Sequence, residues 1–167
     1  MKGYLLDANH VVYWQDKRRP QHTAVERHIQ TLPEGTPLRI SSITLGEIEY
    51  GHRVASESIT AEQQVLFEFI TRYLPIALEI KNTTRMEYGR LRACLFENFA
   101  PLKKRRKSLR PEQLIDPVTA LELRIQENDI WLAAQALEYN LVFATNDGNI
   151  QRIRDVYTEF QVENWAI

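Results

Sequence analysis

Cysteine, glycine and long apolar runs are all scarce in this 167-residue chain, and each scarcity excludes a class of protein. The single cysteine, Cys94, excludes an internal disulfide framework and indicates a reducing compartment, so we expect a cytoplasmic protein. No stretch approaches the roughly 20 apolar residues that span a bilayer, and the short run before Asp7 does not resemble a secretory signal, so no membrane association is expected. With six glycines, no Gly/Ser linker and no internal repeat, the chain is predicted to form a single domain over residues 1–167.

Net charge is also small, because 21 lysines and arginines nearly balance 22 acidic residues. The distribution of charge is uneven, however. The segment KKRRKSLR, residues 103–110, holds six of the 21 basic residues and no acidic one, which leaves 15 basic and 22 acidic residues elsewhere, a net charge of −7. Such an asymmetry indicates a local role for the basic segment and not a uniformly charged surface.

Hydrophobic residues supply 44% of the chain and charged residues 26%, a mixture typical of globular proteins. Short apolar runs alternate with segments of helical periodicity. Strands are predicted at residues 3–8, 37–41, 76–80 and 141–144, with a last edge strand within 160–165. Helices are predicted at about 22–32, 41–55, 60–74, 83–99 and 128–140, the last of them capped by Asn128. This alternation indicates an α/β fold with a mainly parallel sheet.

Acidic residues stand at the ends of predicted strands or early in the helices that follow them. Asp7 ends the first strand, and Glu47 lies in the helix after the second. Asp129 opens an alanine-rich helix, and Asp147 follows the strand LVFA. Ligands of open α/β sheets bind at the carboxyl ends of strands, where clustered carboxylates would repel one another unless a divalent cation balanced them. Mg²⁺ and Mn²⁺ prefer such oxygen ligands and activate water for attack on phosphodiesters, and Asn9 would add a neutral oxygen.

Each of these acids also has a purely structural interpretation. An aspartate at a strand end most often serves a turn or a helix cap, and Asp129 suits the positive end of its helix dipole. Glu47 suits a solvated helix face, and Asp147 in TNDGN suits a turn. Spacing alone therefore leaves both interpretations open.

Four stretches of the sequence carry a resemblance to a known family: YLLDANHVV, SSITLGEIEYG, NDIWLAAQAL and LVFATND. In wording, order and structural position they resemble the motifs of PIN-domain ribonucleases, and most closely those of VapC-type toxins of bacterial and archaeal toxin–antitoxin pairs. The resemblance covers nearly the whole chain. It implies a PIN-like three-layer α/β/α domain with a mainly parallel central sheet.

The resemblance also implies an activity, a cofactor and partners. The activity is that of a Mg²⁺- or Mn²⁺-dependent endoribonuclease that hydrolyses RNA phosphodiester bonds. The partners are an RNA substrate, a small cognate antitoxin and a second copy of the chain in a homodimer. The residues that match the catalytic and metal-binding acids of the family are Asp7, Glu47, Asp129 and Asp147, with Asn9 and Thr145 at supporting polar positions.

One region departs from the family pattern, because residues 100–127 stand where typical members have a short loop. This insertion contains the basic run, whose RNA-binding candidates are Lys103, Lys104, Arg105, Arg106, Lys107 and Arg110. Lysine and arginine contacts to phosphates supply most non-specific affinity for nucleic acid. A solvated loop without a partner is the alternative interpretation.

Two other functions compete with the nuclease. A non-catalytic nucleic-acid-binding or regulatory module of the same fold would not need all four acids, and all four are present. A metal-dependent phosphatase or receiver-like protein is expected to carry an Asp-x-Asp pair, whereas DAN at residues 7–9 has asparagine in the second position.

Among the remaining residues, Cys94 is expected in the core. Phe67 lies off the apolar stripe of its helix and is expected either to pack against the next helix or to line a groove for an antitoxin helix. The histidines show no metal-binding spacing, so surface or capping roles are expected for His10, His22, His28 and His52.

Overall fold

A parallel sheet organises the fold in the computed structural model, which describes residues 2–55, 60–102 and 108–167. Within this part the order across the sheet is β3-β2-β1-β4-β5. The strands are β1 (Gly3–Leu6), β2 (Leu38–Ser41), β3 (Ala77–Leu78), β4 (Leu141–Ala144) and β5 (Val162–Glu163). β1 pairs in parallel with both β2 and β4, and β2 pairs in parallel with β3, so these strands end at the same edge of the sheet.

Seven α-helices accompany the sheet in the described residues. They are α1 (Ala8–Gln15), α2 (His22–Thr31), α3 (Ser42–Val54), α4 (Thr60–Tyr73), α5 (Thr84–Phe99), α6 (Glu127–Glu138) and α7 (Gln151–Val156). A short 3-10 helix covers Pro111–Gln113. None of the helices described has the length and apolar character that crossing a membrane requires.

The chain divides into two compact units, which we name the sheet unit and the helical unit. The sheet unit consists of Met1–Glu79, Leu141–Asn146 and Glu163–Ile167, and the helical unit consists of Ile80–Asn140 and Asp147–Val162. In the sheet unit a buried cluster forms the core: Leu6, Val11, Val25, Ile40, Ile70, Leu74, Ala144 and Trp165. In the helical unit α5 packs against α6 and α7, and Leu91, Leu95 and Ile130 are fully buried.

β1 lies at the centre of the sheet and is built for close contact on both sides. Leu5 and Leu6 are fully buried. At Gly3 a Cβ atom would lie 2.8 Å from the Leu141 side chain and 3.0 Å from the Pro37 carbonyl oxygen, so glycine allows the neighbouring backbone to approach. The central position of β1 places the residue that follows it, Asp7, at the middle of the carboxyl edge.

Two strands turn directly into helices because a capping residue follows or ends each of them. The Asp7 side chain caps α1 by accepting a hydrogen bond from the His10 N–H. The Ser41 hydroxyl caps α3 by accepting a hydrogen bond from the Ile43 N–H at 3.0 Å. Each cap satisfies a donor that the helix itself leaves unpaired, so chain direction changes without a loop.

Several sequence predictions of element boundaries are wrong. The third strand was predicted at residues 76–80, but only Ala77–Leu78 pairs, because β2 turns into α3 after Ser41 and offers no further partner. The last strand is limited to Val162–Glu163. The cap of α6 is Gln126 and not Asn128, which lies within the first turn. The helices α1 and α7 were not predicted.

The described part of the insertion folds into a hairpin. The Asp116 N–H donates to the Leu121 carbonyl oxygen, and the Leu123 N–H donates to the Leu114 carbonyl oxygen, both at 2.9 Å. The Ile115 N–H donates to the carbonyl oxygen of Phe99 at 3.0 Å and so attaches this hairpin to the end of α5. Residues 114–123 are therefore held by backbone hydrogen bonds, whereas the basic residues at 103–107 lie outside the described chain.

Candidate active site

Asp7 has a nearly buried carboxylate at the carboxyl end of β1, with its side chain about 12% exposed. Oδ1 accepts a hydrogen bond from the His10 backbone N–H at 2.7 Å and lies 3.1 Å from His10 Nδ1. The Asp7 N–H donates to the Ala144 carbonyl oxygen at 3.1 Å, which ties the residue to β4. The first predicted site residue is thus fixed by its backbone and by one of its carboxylate oxygens.

Thr145 supplies the second contact to this carboxylate. Its hydroxyl donates to Asp7 Oδ2. The two residues meet because Leu6 and Ala144 are partners in the sheet, so the residues that follow them leave neighbouring strands side by side. Thr145, which was predicted to support the site, therefore contacts Asp7, the predicted catalytic aspartate.

Two asparagines lie next to this pair. Asn9 is exposed on α1, and its amide nitrogen is 3.4 Å from the Asn146 side-chain oxygen. The Asn146 amide donates in turn to the Tyr13 hydroxyl at 3.2 Å. Asn146 was not predicted as a site residue, although its position between Thr145 and Asp147 in the strand exit was the signal that would have found it.

The other three acids are placed in two different units. Glu47 is half-buried on α3, in the sheet unit with Asp7. In the helical unit Asp129 lies in the first turn of α6, where its Oδ2 accepts a hydrogen bond from the Gln126 N–H at 2.7 Å. Asp147 accepts one from the Asn149 N–H at 2.8 Å. Asp129 therefore has the first-turn role and Asp147 the turn role that were considered as structural interpretations of these residues.

The donor chemistry at Asp7 fits a hard divalent cation. Each carboxylate oxygen has about two lone pairs that can accept hydrogen bonds. Both lone pairs of Oδ1 face donors of His10, and one lone pair of Oδ2 accepts from the Thr145 hydroxyl. One lone pair of Oδ2 therefore has no protein donor in the part of the chain described, and oxygen is the ligand that Mg²⁺ and Mn²⁺ prefer. Among those same residues, no group of three or more His, Cys, Asp and Glu side chains is gathered closely enough to hold a metal by itself.

Arg110 is the one RNA-binding candidate that falls within the described residues. It is exposed, and its backbone N–H donates to the Gln113 side-chain oxygen at 2.9 Å at the start of the 3-10 helix. The other candidates, Lys103, Lys104, Arg105, Arg106 and Lys107, lie outside the described residues.

The predictions for several lesser residues were wrong. His10 and His22 are buried, at 0% and 8% exposure, and not at the surface. Cys94 is half-buried and donates its thiol proton to the Val156 carbonyl oxygen at 3.3 Å, and partial burial raises its pKa. For Phe67 only one of the two alternatives is wrong: among the described residues it lies edge-on to His52 of the preceding helix, with ring centroids 6.1 Å apart, and does not pack on the next helix. It also lines an apolar groove with Leu45 and Pro75, as the other alternative expected.

The comparisons with known proteins point to one family. The sequence profile of the PIN domain matches residues 4–156. No curated protein matches the chain significantly. Solved structures do share its fold: VapBC2 from Rickettsia felis bound to a promoter DNA fragment has 22% identity and a TM-score of 0.68, with 97% of this chain and 98% of that chain covered.

Two further structures agree with this result. VapBC-1 from Haemophilus influenzae has 20% identity and a TM-score of 0.67, with 98% of each chain covered. DNA-bound VapBC from Salmonella typhimurium has 23% identity and a TM-score of 0.64, with 99% of each chain covered. The predicted PIN-like three-layer α/β/α fold with a mainly parallel sheet is confirmed.

Proposed function

This chain belongs to the PIN domain family, and we propose that it acts in the cytoplasm as a Mg²⁺- or Mn²⁺-dependent endoribonuclease, the toxin of a toxin–antitoxin pair. In this proposal residues 1–167 work as one catalytic domain. The observation that carries it is the Asp7 carboxylate, which is held at the carboxyl edge of the sheet by the His10 backbone N–H and the Thr145 hydroxyl.

The proposed residue roles follow from the chemistry of phosphodiester hydrolysis. Asp7 is the first metal ligand through Oδ2, and Glu47, Asp129 and Asp147 are proposed as the further acids of the site. A bound divalent cation supplies positive charge that stabilises the reacting phosphate and activates a water molecule. Thr145 holds the orientation of the Asp7 carboxylate, and Asn9 presents an exposed amide that orients water or the substrate.

The proposed partners are an RNA substrate, a small antitoxin and a second copy of the chain. The similar structures from Rickettsia felis, Haemophilus influenzae and Salmonella typhimurium are VapBC complexes, two of them with DNA, which supports an antitoxin. An apolar groove on the sheet unit also supports it, because a helix of a partner would cover its partly exposed side chains, Leu45, Phe67 and Pro75. Its apolar lining includes Leu45, Phe67, Ile70, Leu74 and Pro75.

The first prediction tests the carboxylate that carries this proposal. Purified protein is incubated with total RNA in Mg²⁺, in Mn²⁺ and in a chelator. We expect cleavage only with the divalent ion, and we expect Asp7→Asn to lower its rate by at least about 100-fold, because the variant loses a charge that contributes several kcal/mol to binding the cation and stabilising the transition state. The measurement is the initial rate of RNA cleavage.

A matched control shows whether the effect comes from the Asp7 site or from the loss of any one negative charge. Asp155→Asn makes the same chemical change at an exposed position of α7 and should cleave at the wild-type rate. Circular dichroism and the melting temperature should show that Asp7→Asn remains folded. Full cleavage by Asp7→Asn would refute the assignment of Asp7, and RNA binding by the wild type without cleavage in either ion would favour the non-catalytic module instead.

A further inference from the structure

We propose that His10 is a positioning residue for Asp7, locked in its Nδ1–H tautomer by the backbone of the C-terminal segment, and that this decides which carboxylate oxygen serves the cation. We name the chain of contacts from Asp7 through His10 to Trp165 the His10 bridge. The part of this inference that concerns a cation rests on the proposed function. The tautomer itself follows from geometry within the sheet unit.

The tautomer of His10 is determined by the partner of its outer nitrogen. His10 is fully buried on α1, and Nε2 lies 3.1 Å from the backbone nitrogen of Trp165. A backbone N–H only donates, so Nε2 must accept and cannot carry a proton in this contact. In a neutral imidazole the proton then lies on Nδ1, which is 3.1 Å from Asp7 Oδ1 and donates to it.

The opposite tautomer would fail at both ends of the bridge. A proton on Nε2 would point at the Trp165 N–H, so two donors would face each other. The bare Nδ1 would then face Asp7 Oδ1 at 3.1 Å, so two acceptors would face each other in a buried place. Unsatisfied buried polar groups are costly, so both contacts select the same tautomer.

Trp165 is held firmly enough to act as the anchor of the bridge. It is 2% exposed, and its ring lies edge-on to Tyr4 and His10, with ring centroids 4.9 Å and 5.8 Å apart. It also stacks on His28 at 4.5 Å, and its indole N–H donates to Glu163 Oε2 at 3.1 Å. The C-terminal segment thus fixes the backbone N–H that selects the tautomer of His10.

The consequence falls on the two oxygens of Asp7. Oδ1 receives two donors from one residue, the backbone N–H and the Nδ1–H of His10, and both of its lone pairs are engaged. Oδ2 receives only the Thr145 hydroxyl among the described residues. The His10 bridge therefore restrains rotation of the carboxylate and leaves Oδ2 as the oxygen that would bind a cation, as residues behind a metal ligand commonly do.

Three substitutions at one position separate the two ends of the bridge. His10→Asn keeps an N–H donor at the level of Nδ1 and loses the acceptor for Trp165. His10→Gln keeps an acceptor at the level of Nε2 and loses the donor to Asp7. His10→Leu loses both. Mn²⁺ affinity is measured by isothermal titration calorimetry, with the melting temperature as a check of folding.

We expect His10→Gln and His10→Leu to bind Mn²⁺ about 10- to 100-fold more weakly than the wild type, and His10→Asn to stay within a few-fold of it. A role in packing alone would lower the melting temperatures without separating Asn from Gln in Mn²⁺ affinity. Equal affinity of Gln and wild type would therefore overturn the positioning role, as would a wild type that does not bind Mn²⁺.

The tautomer is read directly by ¹⁵N-edited NMR of the imidazole in the wild-type protein. We expect His10 to show a protonated Nδ1 and an unprotonated Nε2, and a protonated Nε2 would overturn the inference. This readout needs no RNA. If the wild type fails to cleave RNA while it binds Mn²⁺ and shows the expected tautomer, the proposed function is refuted and the positioning of Asp7 stands.

Discussion

Asp7 and Asp116 are two nearly buried aspartates whose surroundings differ in charge. Asp116 lies in the insertion hairpin, where its Oδ1 accepts hydrogen bonds from the Val118 and Thr119 N–H groups and its Oδ2 lies 2.8 Å from an Arg152 guanidinium nitrogen. Asp7 also accepts three hydrogen bonds, but they come from a backbone N–H, a neutral imidazole and a hydroxyl. The first carboxylate has a cationic partner in the protein, and the second has none in the described residues.

This difference teaches how to tell a structural carboxylate from a candidate ligand. Backbone hydrogen bonds from Val118 and Thr119, assisted by Arg152, hold the pKa of Asp116 below its usual range. The protein thus stabilises that charge with its own groups. A buried carboxylate held only by neutral donors still lacks a counter-charge, which a cation from solution supplies.

The largest expected effect is therefore that of a divalent cation on stability. Mn²⁺ at about 100 times its dissociation constant should stabilise the wild type by about 2.7 kcal/mol, since it binds the folded chain and not the unfolded one. For a chain of this size that raises the melting temperature by about 5–10 °C. Asp7→Asn should lose this shift, whereas Asp116→Asn should keep it. The measurement is thermal unfolding with and without Mn²⁺.

Loss of the shift in Asp116→Asn but not in Asp7→Asn would reverse the comparison. A Ca²⁺ titration of the wild type serves as a further control, because Ca²⁺ accepts longer and more numerous oxygen contacts than Mn²⁺.

A smaller effect is expected from the pH dependence of Asp116. Its folded pKa is lowered, so the stability it contributes is fully present above the unfolded pKa of about 3.9 and is lost as pH falls through the folded pKa. Asp116→Asn should therefore unfold at a lower urea concentration than the wild type at pH 6, and the gap between their midpoints should narrow below about pH 4.

The midpoints of urea unfolding, measured from pH 7 to pH 3, check this prediction. Asp155→Asn is the matched control, since it removes an exposed aspartate, and its midpoint should follow that of the wild type. A gap for Asp116→Asn that does not change with pH would mean that packing, and not the charge, accounts for the contribution of Asp116.

The smallest effect is expected from substitutions in the basic run. They test RNA binding separately from the chemistry of the carboxylates. Serine at residues 103–107 should weaken RNA binding and reduce the slope of log affinity against log salt by up to about 3.5, because each phosphate contact to single-stranded RNA contributes about 0.7. Serine at Lys2 and Lys17, outside the insertion, is the control. Affinities at 50 to 200 mM salt measure it, and an unchanged slope would support the solvated-loop interpretation.

Predictions from sequence succeeded where the signal lies within a few residues. Three of the strands and most helices were found, because their apolar periodicity is continuous and their ends carry proline, serine or threonine. The helix α1 was missed because only DANH separates the apolar residues of the strand from VVYW, and an eight-residue helix is too short to show a clear helical period. The strand at residues 76–80 was overestimated because Ile76 and Ile80 match the alternation of a strand but are exposed, at 50% and 42%.

The candidate site was only partly predictable, because several of its contacts join residues that are distant in the sequence. The resemblance to PIN ribonucleases pointed to Asp7 and Thr145, which do lie together. Nothing in the sequence indicated that His10 is buried or that it links the site to Trp165. Whether a histidine faces solvent depends on what covers its helix, and here the covering residue lies at the far end of the chain.

Local chemistry explains why β1 ends where it does. The carboxylate of Asp7 reaches the N–H three residues further on, so a strand followed by a capped helix is written in consecutive residues. The contacts that orient this carboxylate join residues far apart along the chain. Thr145 is 138 residues from Asp7, and Trp165 is 155 residues from His10. The first pair meets because the sheet sets β4 beside β1, and the second because Trp165 packs against Tyr4 and His10. Both pairs therefore follow from tertiary packing and not from any local pattern.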